Sequence, residues 1–137
     1  MDKLTPEMRA RADAAETRIA KVVAPGTTNN YDTLFGGILL AWMDEVAFIT
    51  ATRFGRCRFV TVSIERTDFK HPIPSGTIVE LVGQVESLGR TSVKIRVDVF
   101  IEEMLKADRL KAVSGSFTMV AIDEHRRPTP IEPKVLG

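Results

Sequence analysis

The sequence predicts an α+β domain in which one curved antiparallel sheet wraps around a single buried helix. Three observations carry that reading. Between Ile38 and Phe54 apolar residues fall on every side of a helix (Leu39, Leu40, Trp42, Met43, Val46, Ala47, Phe48, Ile49 and Ala51 among them), the pattern of a helix surrounded by protein. Beyond it the period changes from helical to two: Val60, Val62 and Ile64 alternate with Thr61, Ser63 and Glu65, and Val93, Ile95, Val97 and Val99 with Lys94, Arg96 and Asp98. Finally, 137 residues with 44% apolar content supply a single core. Helix and strands must therefore bury their apolar faces on each other.

The elements follow in order within one domain, 1–137. Residues 1–17 hold a surface helix that starts at Thr5-Pro6, where Thr caps free amides and Pro is tolerated in the first turn. A frayed tail is the alternative there, because the apolar positions, such as Met8 and Ala12, are few. The core, 18–123, opens with a short strand from Arg18 to Val23. A loop follows, where Pro25, Gly26, Thr27, Thr28, Asn29, Asn30 and Tyr31 crowd turn-forming residues together. Phe35, Gly36 and Gly37 open the central helix and Gly55 ends it. The runs Ile78 to Ser87 and Arg109 to Ile122 complete four further strands. In the last of them the apolar phase shifts around Ser114, Gly115 and Ser116, which predicts a bulge at Gly115. The Pro-rich tail, 124–137, is expected to be irregular.

Composition excludes several classes of function. Lys and Arg total 19 against 18 for Asp and Glu, so there is no basic surplus for nucleic acid, and no aromatic platform accompanies Lys94 and Arg96. Cys57 is the only cysteine, and with His71 and His125 the only histidines no intrachain disulfide or zinc constellation can be assembled. No cofactor is expected. Met1 to Lys21 lacks an apolar signal region and the longest apolar run, Ile38 to Met43, is too short to cross a bilayer, so the expectation is a cytoplasmic protein with no membrane partner.

Against that background two acids stand out. Asp44 and Glu45 sit in the middle of the apolar helix, where an unpaired buried charge costs several kcal/mol. Glu45 is read as facing a solvated seam or pairing with an arginine such as Arg53 or Arg90. Asp44 is read as chemistry, because the helix that carries it begins at Phe35-Gly36-Gly37. Free amides at a helix start can stabilise an oxyanion while a carboxylate activates water or attacks directly. Close packing of the helix start against the sheet would equally explain the two glycines. Gly37 and Asp44 are about 10 Å apart along one helix axis, too far for one carbonyl to touch both. A two-fold pair with antiparallel helices would bring Asp44 of one copy to Gly36 and Gly37 of the other.

These residues resemble the signature of the hotdog acyl-CoA hydrolases: Pro25, Thr28 and Asn29, then Thr33-Leu34-Phe35-Gly36-Gly37, then Trp42-Met43-Asp44-Glu45. Val60-Thr61-Val62-Ser63, Phe69 with Pro72-Ile73 and Gly76, and Gly89-Arg90-Thr91-Ser92 continue it in the same order, from about Arg18 to Asp123. The resemblance implies a hotdog fold, a homodimer or a hexamer built as a trimer of dimers, and thioester hydrolysis of acyl-CoA to a carboxylic acid and CoA. It implies Asp44 as general base or nucleophile, Asn29 of the neighbouring subunit as the group that orients water or thioester, and Gly37 at the oxyanion. An Asx turn or a helix-entry cap is the plainer role for Asn29. One departure is Asp32, where the family has Gly; Asp tolerates left-handed backbone better than most residues, but its charge lies beside the acyl site.

A thiol leaves as thiolate with little help, since its pKa is about 8.5, so one carboxylate and an oxyanion pocket suffice. Ester or amide hydrolysis would call for a triad, a Cys-His pair or a metal. Phe35, Trp42 and Phe48 are candidates for the acyl slot. Substrate contacts are expected from Phe35, Gly36, Thr61, Val62 and Ser63, and a cationic rim for the CoA phosphates from Arg58, Lys70, His71 and Arg90. Gly89, Arg90, Thr91 and Ser92 line the pantetheine path by resemblance, or form a plain hairpin turn. The rival functions are a non-catalytic acyl-CoA sensor and a dehydratase. The latter would place a histidine on the central helix, which has none.

Overall fold

A computed structural model of the chain describes residues 4–132. Helix α1, Pro6–Ala14, is capped by Thr5, whose hydroxyl accepts the Met8 amide at 3.2 Å. Strand β1, Thr17–Val22, leads through a single 3₁₀ turn, Pro25–Thr27, to helix α2, Gly36–Gly55. Four strands follow: β2 (Arg58–Phe69), β3 (Thr77–Leu88), β4 (Ser92–Glu103) and β5 (Arg109–Ile122). They form one antiparallel sheet in the order β1-β3-β4-β5-β2, with β1 and β2 at its edges. This is the sheet around a helix that the patterning predicts.

The core lies between α2 and the concave face of the sheet. Leu39, Met43, Val46, Ala47 and Phe54 of α2 meet Val79, Leu81, Ile95, Val97, Phe117 and Met119, all essentially inaccessible. The closest approach is at Gly83 of β3. A Cβ there would overlap the Thr50 hydroxyl and come within 2.8 Å of Val46 Cγ1. Gly83→Ala is therefore expected to cost about 2 kcal/mol by overpacking, lowering the melting temperature in a calorimetric scan by roughly 5–10 °C. An unchanged melting temperature would mean that α2 can lift from the sheet freely.

Two expectations are revised, the place of the bulge and the enclosure of α2. Gly55 ends α2 as expected, buried where the Phe59 ring leaves no room for a Cβ, and the left-handed residue that follows it is Arg56 (φ 48°). Gly115 pairs regularly with Val97, and the irregularities lie around it. Ala112 is the extra residue of β5 against β4, and two residues of β2, Arg66 and Thr67, oppose Gly115. Helix α2 is not enclosed by its own chain, for Ala41, Glu45 and Phe48 form an exposed face, with Phe48 47% accessible. The tail is irregular as far as it is described, yet it folds back on the sheet: Thr129 N donates to Ala121 O and Ile131 N to Arg90 O, both at 2.9 Å. Its last five residues lie outside those described, as do the first three of the chain.

Candidate active site

Asp44 is partly buried on the flank of α2 that faces β2. Its Oδ1 accepts a hydrogen bond from the Thr61 hydroxyl at 2.6 Å, and Thr61 Oγ1 also lies 3.2 Å from Met119 Sδ. No cation pairs with Asp44 among the described residues. A single neutral donor thus holds the carboxylate, leaving Oδ2 open. The partner was not read from the sequence, which placed Thr61 only among substrate contacts. The strand's phase explains this: at the start of β2 the inward residues are Phe59 and Thr61, while the apolar Val60 and Val62 are 41% and 55% exposed. The pairing then slips between Thr61 and Ser63, so that Val62 is the extra residue of the bulge and Ser63 is exposed opposite Thr118.

Glu45 pairs with neither Arg53 nor Arg90. It stands on the exposed face of α2, one of the two alternatives foreseen, with no partner among the described residues; Arg53 donates instead to the Thr17 hydroxyl at 3.2 Å.

The helix start has the geometry of an anion site. Phe35 is the N-cap residue and offers no side-chain cap, and the first amide bonded into α2 is that of Leu39, to Phe35 O at 3.0 Å. The amides of Gly36, Gly37 and Ile38 therefore remain available. A Cβ at Gly37 would meet nothing within 4 Å, so this glycine faces open space rather than a tightly packed sheet. Asn29 sits in the loop just before. Its Oδ1 accepts from the amides of Tyr31 (2.9 Å) and Thr33 (3.2 Å) and from the Thr33 hydroxyl (3.2 Å). That is the Asx-turn role, and it leaves the carboxamide NH2 free of partners among the described residues. Asp32 closes the turn at φ 60°, its amide donating to Asn29 O and its carbonyl accepting from Ser75 N, both at 3.0 Å. The aspartate holds the left-handed geometry expected of a glycine there.

The other predicted contacts separate into two groups. Arg58 opens β2 opposite Ile122, beside the tight hairpin in which Gly89 N donates to Ser92 O at 2.8 Å and Thr91 O accepts from Ala121 N at 2.9 Å. Arg58, Gly89, Arg90, Thr91 and Ser92 thus cluster near the C-terminal end of α2. Lys70 and His71 follow the far end of β2, near the N-terminal end of α2, and the twelve residues of β2 separate the pairs by about 35 Å. The four cations form no single rim on one chain. The predicted aromatic slot is likewise not assembled: Trp42 lies under the Lys21 ammonium (4.9 Å to the ring centre), and Phe35 and Phe48 are about half exposed. Among the described residues no group of three His, Cys, Asp or Glu could hold a metal ion, and no helix is long and apolar enough to cross a membrane.

Comparison with known proteins gives consistent matches. A model of the thioesterase superfamily matches residues 31–107. An uncharacterized acyl-CoA thioester hydrolase of Zymomonas mobilis is 37% identical over 122 residues, 89% of this chain and 82% of that protein. The acyl-CoA hydrolase of Staphylococcus aureus, solved with butyryl coenzyme A and with coenzyme A, superposes with a TM-score of 0.85 at 30% identity, covering 89% of this chain and 74% of that one. Variants of it have been solved with an asparagine, an aspartate and a threonine each replaced by alanine. A hexameric acyl-CoA thioesterase superposes with the same TM-score at 36% identity, over 90% of this chain and 81% of that one.

Proposed function

The chain belongs to the thioesterase superfamily as a hotdog-fold acyl-CoA thioesterase, a thioester hydrolase, and from that premise we propose that its site is shared between two subunits, with Asp44 of one acting on a thioester held by Asn29 and Gly37 of the other. The observation that carries the reading is Asp44 itself, a partly buried carboxylate held by one hydroxyl and with no counter-ion among the described residues, on the flank of an exposed helix face. The three residue types replaced in the Staphylococcus aureus hydrolase occur there in the same order and at the same spacing as Asn29, Asp44 and Thr61 here.

The substrate is acyl-CoA. The Gly37 amide, supported by the neighbouring free amides, receives the carbonyl oxygen as negative charge develops on it. The Asn29 carboxamide NH2 steers the water or the thioester. Asp44 Oδ2 takes a proton from water as the water oxygen bonds to the carbonyl carbon, the C–S bond breaks, and CoA leaves as thiolate to be protonated by solvent. The same open oxygen also suits direct attack, giving a mixed anhydride that water then cleaves. The active form is a homodimer in which the exposed faces of two α2 helices meet antiparallel, and three dimers build a hexamer like that of the hexameric thioesterase. Antiparallel pairing also explains the divided cations, since Arg58 and Arg90 then reach the CoA moiety from the subunit opposite the helix start, while Lys70 and His71 flank that start directly.

Mixed subunits test the sharing. Asp44→Asn and Asn29→Ala preparations are each expected to be nearly inactive in a free-thiol release assay. Unfolded and refolded together in equal amounts, they should recover roughly a quarter of native activity, because half the dimers are mixed and each carries one intact site. Absence of recovery in verified mixed dimers would refute a site built across the subunit boundary.

A further inference from the structure

Between the first turn of α2 and the loop after β2 lies a cavity of about 300 Å³ that no residue discussed so far explains. Its walls are Leu34, Leu39, Ile73 and Val113, all buried, with the half-exposed Phe69 ring at its mouth. Thr33, Gly36, His71 and Pro72 line its remaining side. Thr33 is the residue whose amide and hydroxyl bond Asn29, and Gly36 supplies the first free amide of α2. One apolar cavity therefore adjoins both of the groups that would hold a carbonyl. The aliphatic walls suit an alkyl chain, and the polar side chains of the lining are Thr33 and His71.

Phe69 reaches this place through an irregularity in β2. Ile64 pairs with Phe117 on the helix-facing side, and in a regular strand a residue five positions on would face away from α2. Between Glu65 and Asp68, however, two residues oppose one of β5, and Arg66 takes φ 47°. That extra residue reverses the phase, so Phe69 pairs with the inward Val113 and its ring comes within 3.9 Å of where a Gly36 Cβ would stand. A left-handed arginine is unfavourable. What the bulge accomplishes is to turn an aromatic ring onto the mouth of the cavity at the helix start.

Resting on the thioesterase reading above, we infer that this cavity takes the acyl chain of the substrate and that Phe69 sets the length of chain it accepts. The thioester carbonyl lies at the α2 amides, the alkyl chain runs inward between Leu34, Ile73 and Val113, and the CoA portion leads outward to solvent.

S-alkyl-CoA thioethers, which cannot be hydrolysed, test this by calorimetric titration of the full chain, Phe69→Ala and Phe69→Trp with alkyl groups from methyl to dodecyl. Each added methylene should tighten binding to the native protein about fourfold until the cavity is full. The plateau should come at a shorter chain in Phe69→Trp and a longer one in Phe69→Ala, with S-methyl-CoA bound equally by all three to within about twofold. Identical plateaus in the three proteins, or a parallel loss at every length including S-methyl, would overturn the assignment. If native hydrolysis still depends on Asp44 in that case, only the pocket assignment falls. If alkyl chains add no affinity and no thioester is cleaved, the substrate reading falls with it.

Discussion

Asp44→Asn is expected to lower kcat for a short acyl-CoA by about a thousandfold, the range over which a positioned general base acts, with KM changed by less than about threefold. Asparagine keeps the shape of the side chain and retains an oxygen to accept the Thr61 hydroxyl, so the fold should persist and the thermal transition should hardly move. The whole effect then lies in the transition state, where a carboxamide can neither take a proton nor attack. Thr61→Ala should show the smaller loss of a group that only orients the carboxylate, about tenfold or more in kcat, since a hydrogen bond to a charged acceptor contributes roughly 1.5–3 kcal/mol. Thr61→Ser should restore most of it. Steady-state thiol release is the measurement. An Asp44→Asn enzyme within a few-fold of native would remove the basis of the mechanism.

The second large effect is expected at the edge of the sheet. Strand β2 pairs only with β5 among the described residues, which leaves its other edge open, and its outward residues Val60 and Val62 are 41% and 55% exposed. A twelve-residue strand with an open edge is a template for pairing with another chain. Beside it lies the exposed face of α2, with Phe48 and Ala41. In the proposed antiparallel dimer Val62, near the middle of β2, would approach the same region of the second copy. Val62→Asp would then set like charges against each other at a cost of several kcal/mol, weakening the dimer by a thousandfold or more. The expected result is a monomer by light scattering at micromolar concentration. Activity should fall at least a hundredfold even though Asp44 and Thr61 are untouched. A fully active Val62→Asp monomer would show that one chain suffices for catalysis.

Much of the site could be read in the residues because it lies on one short stretch of chain. Asn29, Phe35, Gly36, Gly37 and Asp44 are spaced by a loop and a helix, and helix geometry translates spacing into distance without knowledge of the rest. Asp32 is a similar case, since a turn that wants a left-handed residue can be met by Asp as well as Gly. The partner of Asp44 was hidden because it comes from another element. Whether Thr61 or Val60 faces α2 depends on which side of β2 is covered, and an edge strand whose apolar residues face outward inverts the usual reading. The position of the bulge was missed for the same reason. Alternation in β5 shows that a phase changes, but only pairing with β2 and β4 shows which strand carries the extra residue.

The order and type of the elements, the single core and the oddity of an acid within an apolar helix were thus determined by the amino-acid sequence, because periodicity and burial cost are local properties of a chain. Tertiary structure decided which strand face meets α2, how Thr61 holds Asp44, where the cations divide and that Phe69 closes an apolar cavity. Those outcomes depend on register, and a shift of one residue in a strand turns every side chain to the opposite face.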